Sequence, residues 1–243
     1  MTPENVSGMK RACEEFGITV AACSAALEPR VPGAPGETLS TDYDKIVADC
    51  RALNCTYLRI GMLPISSLAG PEKFMEFVEK AEAMARRLQQ DGIRLYYHNH
   101  HVEFAKIGDA RMIDILREKT EALGFELDVH WIQRGGCNPI EVIRQFAGRI
   151  TLLHLKDYRI ATLSMPEGEV DMKAFFDTFF NKSVQFAEVG EGNLPMKQII
   201  ETGLECGSEY FIIEQDDQYG KDPYESLQIS MDNLKKMGYE SWF

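Results

Sequence analysis

ITLLHLKD, residues 150–157, carries a pattern that separates two kinds of α/β fold. Side chains along a strand point to opposite faces in turn, so one face of this run holds Leu153 and Leu155 and the other Leu152, His154 and Lys156. FELDVHW, residues 125–131, divides in the same way, with Phe125, Leu127 and Val129 against Glu126, Asp128 and His130. In EYFIIEQD, residues 209–216, Phe211 and Ile213 oppose Ile212, Glu214 and Asp216. One face is apolar throughout, and the other turns polar toward the C-terminal end of the strand. Parallel strands curled into a barrel produce this plan, because only their outer face meets helices and their active sites sit at the C-terminal mouth. An open doubly wound sheet is covered on both sides and its strands should read apolar on both. The expectation is therefore an α/β protein of TIM-type (β/α) barrel architecture.

Outward from these runs, short apolar stretches alternate with longer amphipathic ones. The further strands expected are GITVAAC (17–23), CTYLRIGM (55–62) and IRLYYHNH (93–100), with VQFAEVG (184–190) either a strand or a loop. Helices are expected at 71–92, 138–148 and 222–238, each opening on a proline and closing on a glycine. EPRVPGAPGE, residues 28–37, reads as a long surface loop and not as a boundary, so residues 1–243 are expected to form one domain.

A net charge of −12 argues against a nucleic-acid surface, which needs clustered Lys and Arg. The six cysteines show no metal-ligand spacing and are expected to be reduced, mostly buried thiols. The N-terminal stretch lacks a secretory pattern and no apolar run is long enough to span a membrane, which makes the cytoplasm the expected location.

LYYHNHHVEF, residues 95–104, places Tyr96, His98 and His100 on one strand face, with Asn99 and His101 on the other or in the following loop. A single His or Asp at a strand end is usually a hydrogen-bonded structural residue. Four strands ending in His98, Asp128, His154 and Glu214 would aim all four at one axis. Mixed nitrogen and carboxylate donors suit Mn²⁺, Co²⁺, Zn²⁺ or Fe²⁺, Mn²⁺ being favoured, better than Mg²⁺. Lys156 shares the face of His154 and could hold a substrate oxygen, or pair with Glu188, Glu191 or Asp157. Glu188, His130 and Trp131 are candidate substrate contacts, and Gly190 and Gly192 would let the loop of Glu188 approach closely.

Five ordered motifs, YYHNHHVEF, FELDVHWIQRGGCNP, GRITLLHLKD, EVGEGNL and the run from IIEQDD to the C-terminal helix, resemble the xylose-isomerase-like TIM barrels of the sugar phosphate isomerase/epimerase family, in their HNH-motif subgroup. The resemblance implies a divalent metal held by His98, Asp128, His154 and Glu214, and a hydroxy-carbonyl sugar or sugar phosphate as substrate. It implies isomerisation or epimerisation through an enediolate, with loss of a β-substituent (a dehydratase or lyase) and a non-catalytic partner subunit as alternatives. Many relatives carry glutamate where His98 stands, which leaves the base open between Glu103 and His100, with Glu214 and Lys156 as further catalytic candidates. An eight-stranded barrel also begins with a βαβ unit, and with six firm strands here either that unit is absent from this chain or the N-terminal stretch holds it in a form the pattern does not show. The expected barrel is open, lacking its first two strands, with sheet edges that a homo- or hetero-oligomeric partner would cover.

Overall fold

A computed structural model describes residues 1–162 and 171–243. Six strands form one parallel sheet: β1 (Cys23–Ser24), β2 (Tyr57–Ile60), β3 (Arg94–His98), β4 (Gly124–Asp128), β5 (Leu152–Leu155) and β6 (Tyr210–Ile213). Their spatial order follows the chain without a reversal, whereas a doubly wound sheet reverses at its switch point. The molecule is an open TIM barrel, with β1 and β6 at its two edges.

The period-2 reading of the strands explains both layers. Leu58, Ile60, Leu95, Tyr97, Phe125, Leu127, Leu153 and Leu155 face outward into the main core. There they meet Phe74 and Phe77 of α3 (Pro71–Gln90), Leu116 of α4 (Met112–Lys119), Ile143 of α6 (Pro139–Gln145) and Ile199 of α8 (Met196–Glu205). Each such side chain, fully buried, contributes about 1.5–3 kcal/mol. The inner face has its own small cluster, Tyr57, Tyr96 and Leu152 with Ala22 and Ile212 against them. Tyr57 meets Tyr96 and Tyr210 edge-on at 5.6 and 5.8 Å, closing the N-terminal end of the half-barrel. A Cβ at Gly124 would lie 2.6 Å from the Tyr96 ring, so the residue paired with Tyr96 across β3 and β4 has to be glycine. With that floor packed by aromatic rings, the polar inner residues lie above it, toward the strand C-termini.

Several segments depart from the sequence reading. Of GITVAAC only Cys23 pairs with β2, Ser24 just beyond it being the other paired residue, and Ile18 is exposed. FELDVHW is a strand only as far as Asp128, whose Oδ1 accepts from Trp131 N at 3.1 Å and starts α5 (Val129–Arg134). Val129, His130 and Trp131 therefore belong to a helix, and His130 does not continue the inner face. Val184–Ala187 is a strand outside the main sheet, pairing antiparallel with Asp157–Ile160. The first residues form α1 (Pro3–Phe16), with Thr2 as N-cap and Gly17 in the left-handed conformation after it, though only Val6 of this helix is buried. The expected proline-started helices are present, two of them as α6 and α9 (Pro223–Leu234), capped by the side chains of Asn138 and Asp222.

Candidate active site

Register stacks the inner polar residues in tiers. His98 pairs with Glu126 across β3 and β4, and Asp128 with His154 across β4 and β5. Asp128, Glu126, His98 and His154 are all buried. Donor atoms of His98, Asp128 and His154 lie within 4.8 Å of one another. Asp128 Oδ2 is 4.0 Å from His98 Nε2 and 3.6 Å from His154 Nδ1. Asp128 is held from both sides: Oδ1 caps α5, and its backbone N–H donates to Asn99 Oδ1 at 2.9 Å. That leaves Oδ2 aimed at the histidines.

Glu126 lies deeper. Its Oε1 is 2.5 Å from His154 Nε2, 3.7 Å from His98 Nδ1 and 3.4 Å from Arg59 Nη1. With the Glu126 carboxylate beside Nε2, His154 is left with Nδ1 as the nitrogen that faces Asp128, and a carboxylate behind the ring is the usual support of a metal-binding histidine. Glu214 approaches the group from β6, 2.9 Å from His154 Nδ1. Lys156 Nζ contacts Asp128 at 3.2 Å, Glu214 at 3.1 Å and Asp216 at 2.7 Å. It makes none of the pairs with Glu188, Glu191 or Asp157 that the sequence allowed.

Burial and charge set the protonation states. Burial holds His98 well below the usual imidazole range, with the charges of His154 and Arg59 adding to the effect, so its ring is neutral and can act as a ligand. Burial opposes a charge on His154, but Asp128, Glu126 and Glu214 overcome it and raise its pKa to about 10. Burial likewise works against ionised Asp128, and His154 and Lys156 outweigh it. His154 and Lys156 also keep Glu214 ionised against its partial burial.

These residues fit a divalent cation on two counts. His98 Nδ1, His154 Nδ1 and Asp128 Oδ2 are buried polar atoms without a well-aligned hydrogen-bond partner, a costly arrangement unless something else binds them. His154 carries a proton that a bound metal would displace, and with both histidines neutral the carboxylates of Glu126, Asp128, Glu214 and Asp216 face two fixed cations, Arg59 and Lys156. The shortfall is two positive charges.

A cavity of about 490 Å³ opens above the group at the strand C-termini. His98, His100, Lys156, Glu214 and Asp216 line it, together with Arg30, Arg59 and Met62. The remaining sequence candidates lie outside this lining. Trp131 stands behind His100, with ring centroids 5.4 Å apart, and Lys156 Nζ is 5.6 Å from the indole. His130 donates from Nδ1 to the Asp157 carbonyl at 2.9 Å and stacks on Phe186. Glu188 is buried beside a different cavity, where it accepts from Lys221 and Ser226. Its loop is ordered instead by Asp157, whose carboxylate accepts the backbone N–H groups of Gly190, Gly192 and Leu194.

Glu103 stands apart from the inner group. It is fully buried, accepting from Tyr97 OH at 2.5 Å and from His100 N at 2.7 Å, which pins the turn after β3. Burial pushes its carboxyl up in spite of these donors. Glu103→Gln is accordingly expected to lower stability by about 1.5–3 kcal/mol, the range for hydrogen bonds to a charged group. Denaturant unfolding would show that loss, while metal content and turnover stay at wild-type levels.

Residues 1–237 match one protein family along almost the whole sequence, and that family is described as xylose isomerase-like TIM barrel. The chain belongs to the xylose isomerase-like TIM barrel family. A sugar phosphate isomerase/epimerase from Parabacteroides distasonis shares the fold at a TM-score of 0.70 and 18% identity, over 95% of this chain and 80% of that one. A xylose isomerase domain protein from Planctomyces limnophilus superimposes at 0.65 with 18% identity, over 97% and 82%. A probable 3-DHS dehydratase of petrobactin synthesis from Bacillus anthracis does so at 0.67 with 13% identity, over 96% and 82%. No curated protein matches the sequence. Within this family fold, four residues that the sequence left without a role join the site: Glu126, Asp216, Arg59 and Asn99. Strand parity was the available signal for the first two, since Glu126 shares a face with Asp128 and Asp216 continues that of Glu214.

Proposed function

We propose that the chain is a divalent-metal-dependent isomerase or epimerase of a hydroxy-carbonyl sugar, acting in the cytoplasm by moving a proton on the carbon beside the carbonyl. The convergence of His98, Asp128 and His154 under a cavity whose charges fall two short of balance is the observation that supports it. Those three residues would hold the cation, with Glu214 the fourth group in reach. A bound divalent ion, Mn²⁺ being favoured, would supply the Lewis acidity that weakens the carbon–hydrogen bond next to the carbonyl.

The chain's own groups divide the proton work. His100 lines the cavity, and burial keeps its imidazole neutral, so it can accept a proton from carbon. Lys156 also lines it, its ammonium kept charged by Asp128, Asp216 and Glu214 against the cost of burial, and it steadies negative charge developing on a substrate oxygen. Environments that push two titratable groups apart in this way suit one to the base role and the other to the cationic role. Trp131 backs His100 and limits how far that ring can swing. His130 and Glu188 support the rim without lining the cavity.

Return of the proton to the neighbouring carbon isomerises, and return to the opposite face epimerises. Lys156 is also placed to protonate a departing hydroxyl, which would make the reaction a dehydration, the activity named for the Bacillus anthracis structure. Incubation of the manganese-loaded protein with keto-pentoses and keto-hexoses in D₂O separates these outcomes by NMR. Deuterium on carbon in a recovered sugar supports isomerase or epimerase action, and an unsaturated product supports the dehydratase. Absence of carbon-bound deuterium and of product across the panel would overturn the reading. His100→Gln should retain the metal and slow the exchange by about 10²–10⁴-fold, the usual share of a general base.

A further inference from the structure

Each charged side chain that lines the cavity has an oppositely charged neighbour, with one exception. Lys156 lies between Glu214 and Asp216, and Glu37 pairs with Lys45 at 2.9 Å. Arg59 is committed as well, donating from Nε to Ser24 Oγ at 2.8 Å while Nη1 lies 3.4 Å from Glu126. Arg30 lines the same cavity, and among the described residues its guanidinium has neither an ion pair nor a hydrogen bond.

This arginine sits on a tethered loop. Its carbonyl accepts from Ile65 N at 2.9 Å, and two residues earlier Glu28 is bound to Lys80 at 2.7 Å. Pro29 and Pro32 flank it and restrict the backbone further. The loop therefore holds the backbone of Arg30 in place and brings its exposed side chain to the cavity wall. With a divalent ion in place and both histidines neutral, the four inner carboxylates, Arg59 and Lys156 sum to zero, Glu37 and Asp49 are balanced by Lys45 and the N-terminal ammonium, and Arg30 leaves one positive charge in excess.

We propose that Arg30 is a specificity-determining residue, forming at the cavity wall a subsite for one acidic group, a carboxylate or a phosphate, on the sugar. The planar guanidinium fork binds either group through two parallel hydrogen bonds, and a hydroxymethyl in the same place leaves it unpaired. This assignment rests on the proposed reading of the site as one that handles a hydroxy-carbonyl sugar.

Calorimetric titration of the manganese-loaded full chain with D-fructose, D-fructuronate and D-fructose 6-phosphate tests it, because the three differ only in the group at one end. The wild type is expected to bind at least one of the two anionic sugars about 10–100-fold more tightly than fructose, in keeping with charge-assisted hydrogen bonding. Which of the two gains tells carboxylate from phosphate. Arg30→Gln should bring the ratio close to one, while Lys73→Gln, the same loss of charge on the exposed start of α3, should keep the wild-type ratio. Equal or undetectable binding of all three by the wild type would overturn the subsite, as would an anion preference that survives Arg30→Gln. The parent reading fails separately: anion preference with no carbon-bound deuterium exchange removes the isomerase reading and keeps the subsite, and exchange without preference does the reverse.

Discussion

Lys156→Met should lower turnover by about 10²–10³-fold while manganese binds at least as tightly as in the wild type. The expected loss is that of removing one charged donor from a developing oxyanion in a water-poor site. Metal retention follows from the charges: Nζ lies 3.2 Å from Asp128 and 3.1 Å from Glu214, so the ammonium competes with a cation for the same carboxylates. Methionine fills much of the buried volume, which protects the packing. Stopped-time NMR assays for turnover and elemental analysis for manganese give the two readouts. A fall in both together would mean that Lys156 organises the carboxylates and does not act on the substrate.

Asp128→Asn carries the second large effect and moves the opposite quantity. Asparagine keeps an oxygen to cap Trp131 N and start α5, so the fold should survive. It removes a negative charge that lies between the two histidines. Breaking a buried charge pair by removing one partner costs about 3–5 kcal/mol, which corresponds to a loss of manganese affinity of about 10²–10⁴-fold. Titration of chelator-treated protein with Mn²⁺ measures this directly, and an unchanged affinity would take Asp128 out of the site.

How much of this was open to reading can be seen at particular residues. Strand parity separated His154 from Leu153 and Leu155, because a buried outer face and a polar inner mouth impose different residue types on alternate positions. The helices after Asn138 and Asp222 were equally plain, since cap, proline and glycine act locally. Thr2, Pro3 and Gly17 supply the same signals for α1. The end of β4 was not legible, because Asp128 serves both as the last inner residue of the strand and as the cap of α5, and periodicity alone carries the strand on to His130. GITVAAC reads as a full strand by composition, yet as the edge of the sheet it finds a partner on one side only, and pairing there is confined to Cys23 and Ser24. The role of Glu126 depends on register, which places it opposite His98 and one tier below Asp128, and register is a tertiary property. Glu103 misled for a related reason. A carboxylate three residues past a histidine-rich strand end can face the mouth or turn back to cap its own chain, and the turn takes it back to His100 N and Tyr97.

One divalent cation is expected among His98, Asp128 and His154. Anomalous X-ray scattering recorded at the manganese edge from crystals of the manganese-loaded protein should show it as a single strong peak bounded by those three side chains, within reach of Glu214, and the peak should vanish in crystals of Asp128→Asn. A peak at any other place on the chain, or none in crystals of protein that elemental analysis shows to carry one manganese per chain, would rule the site out.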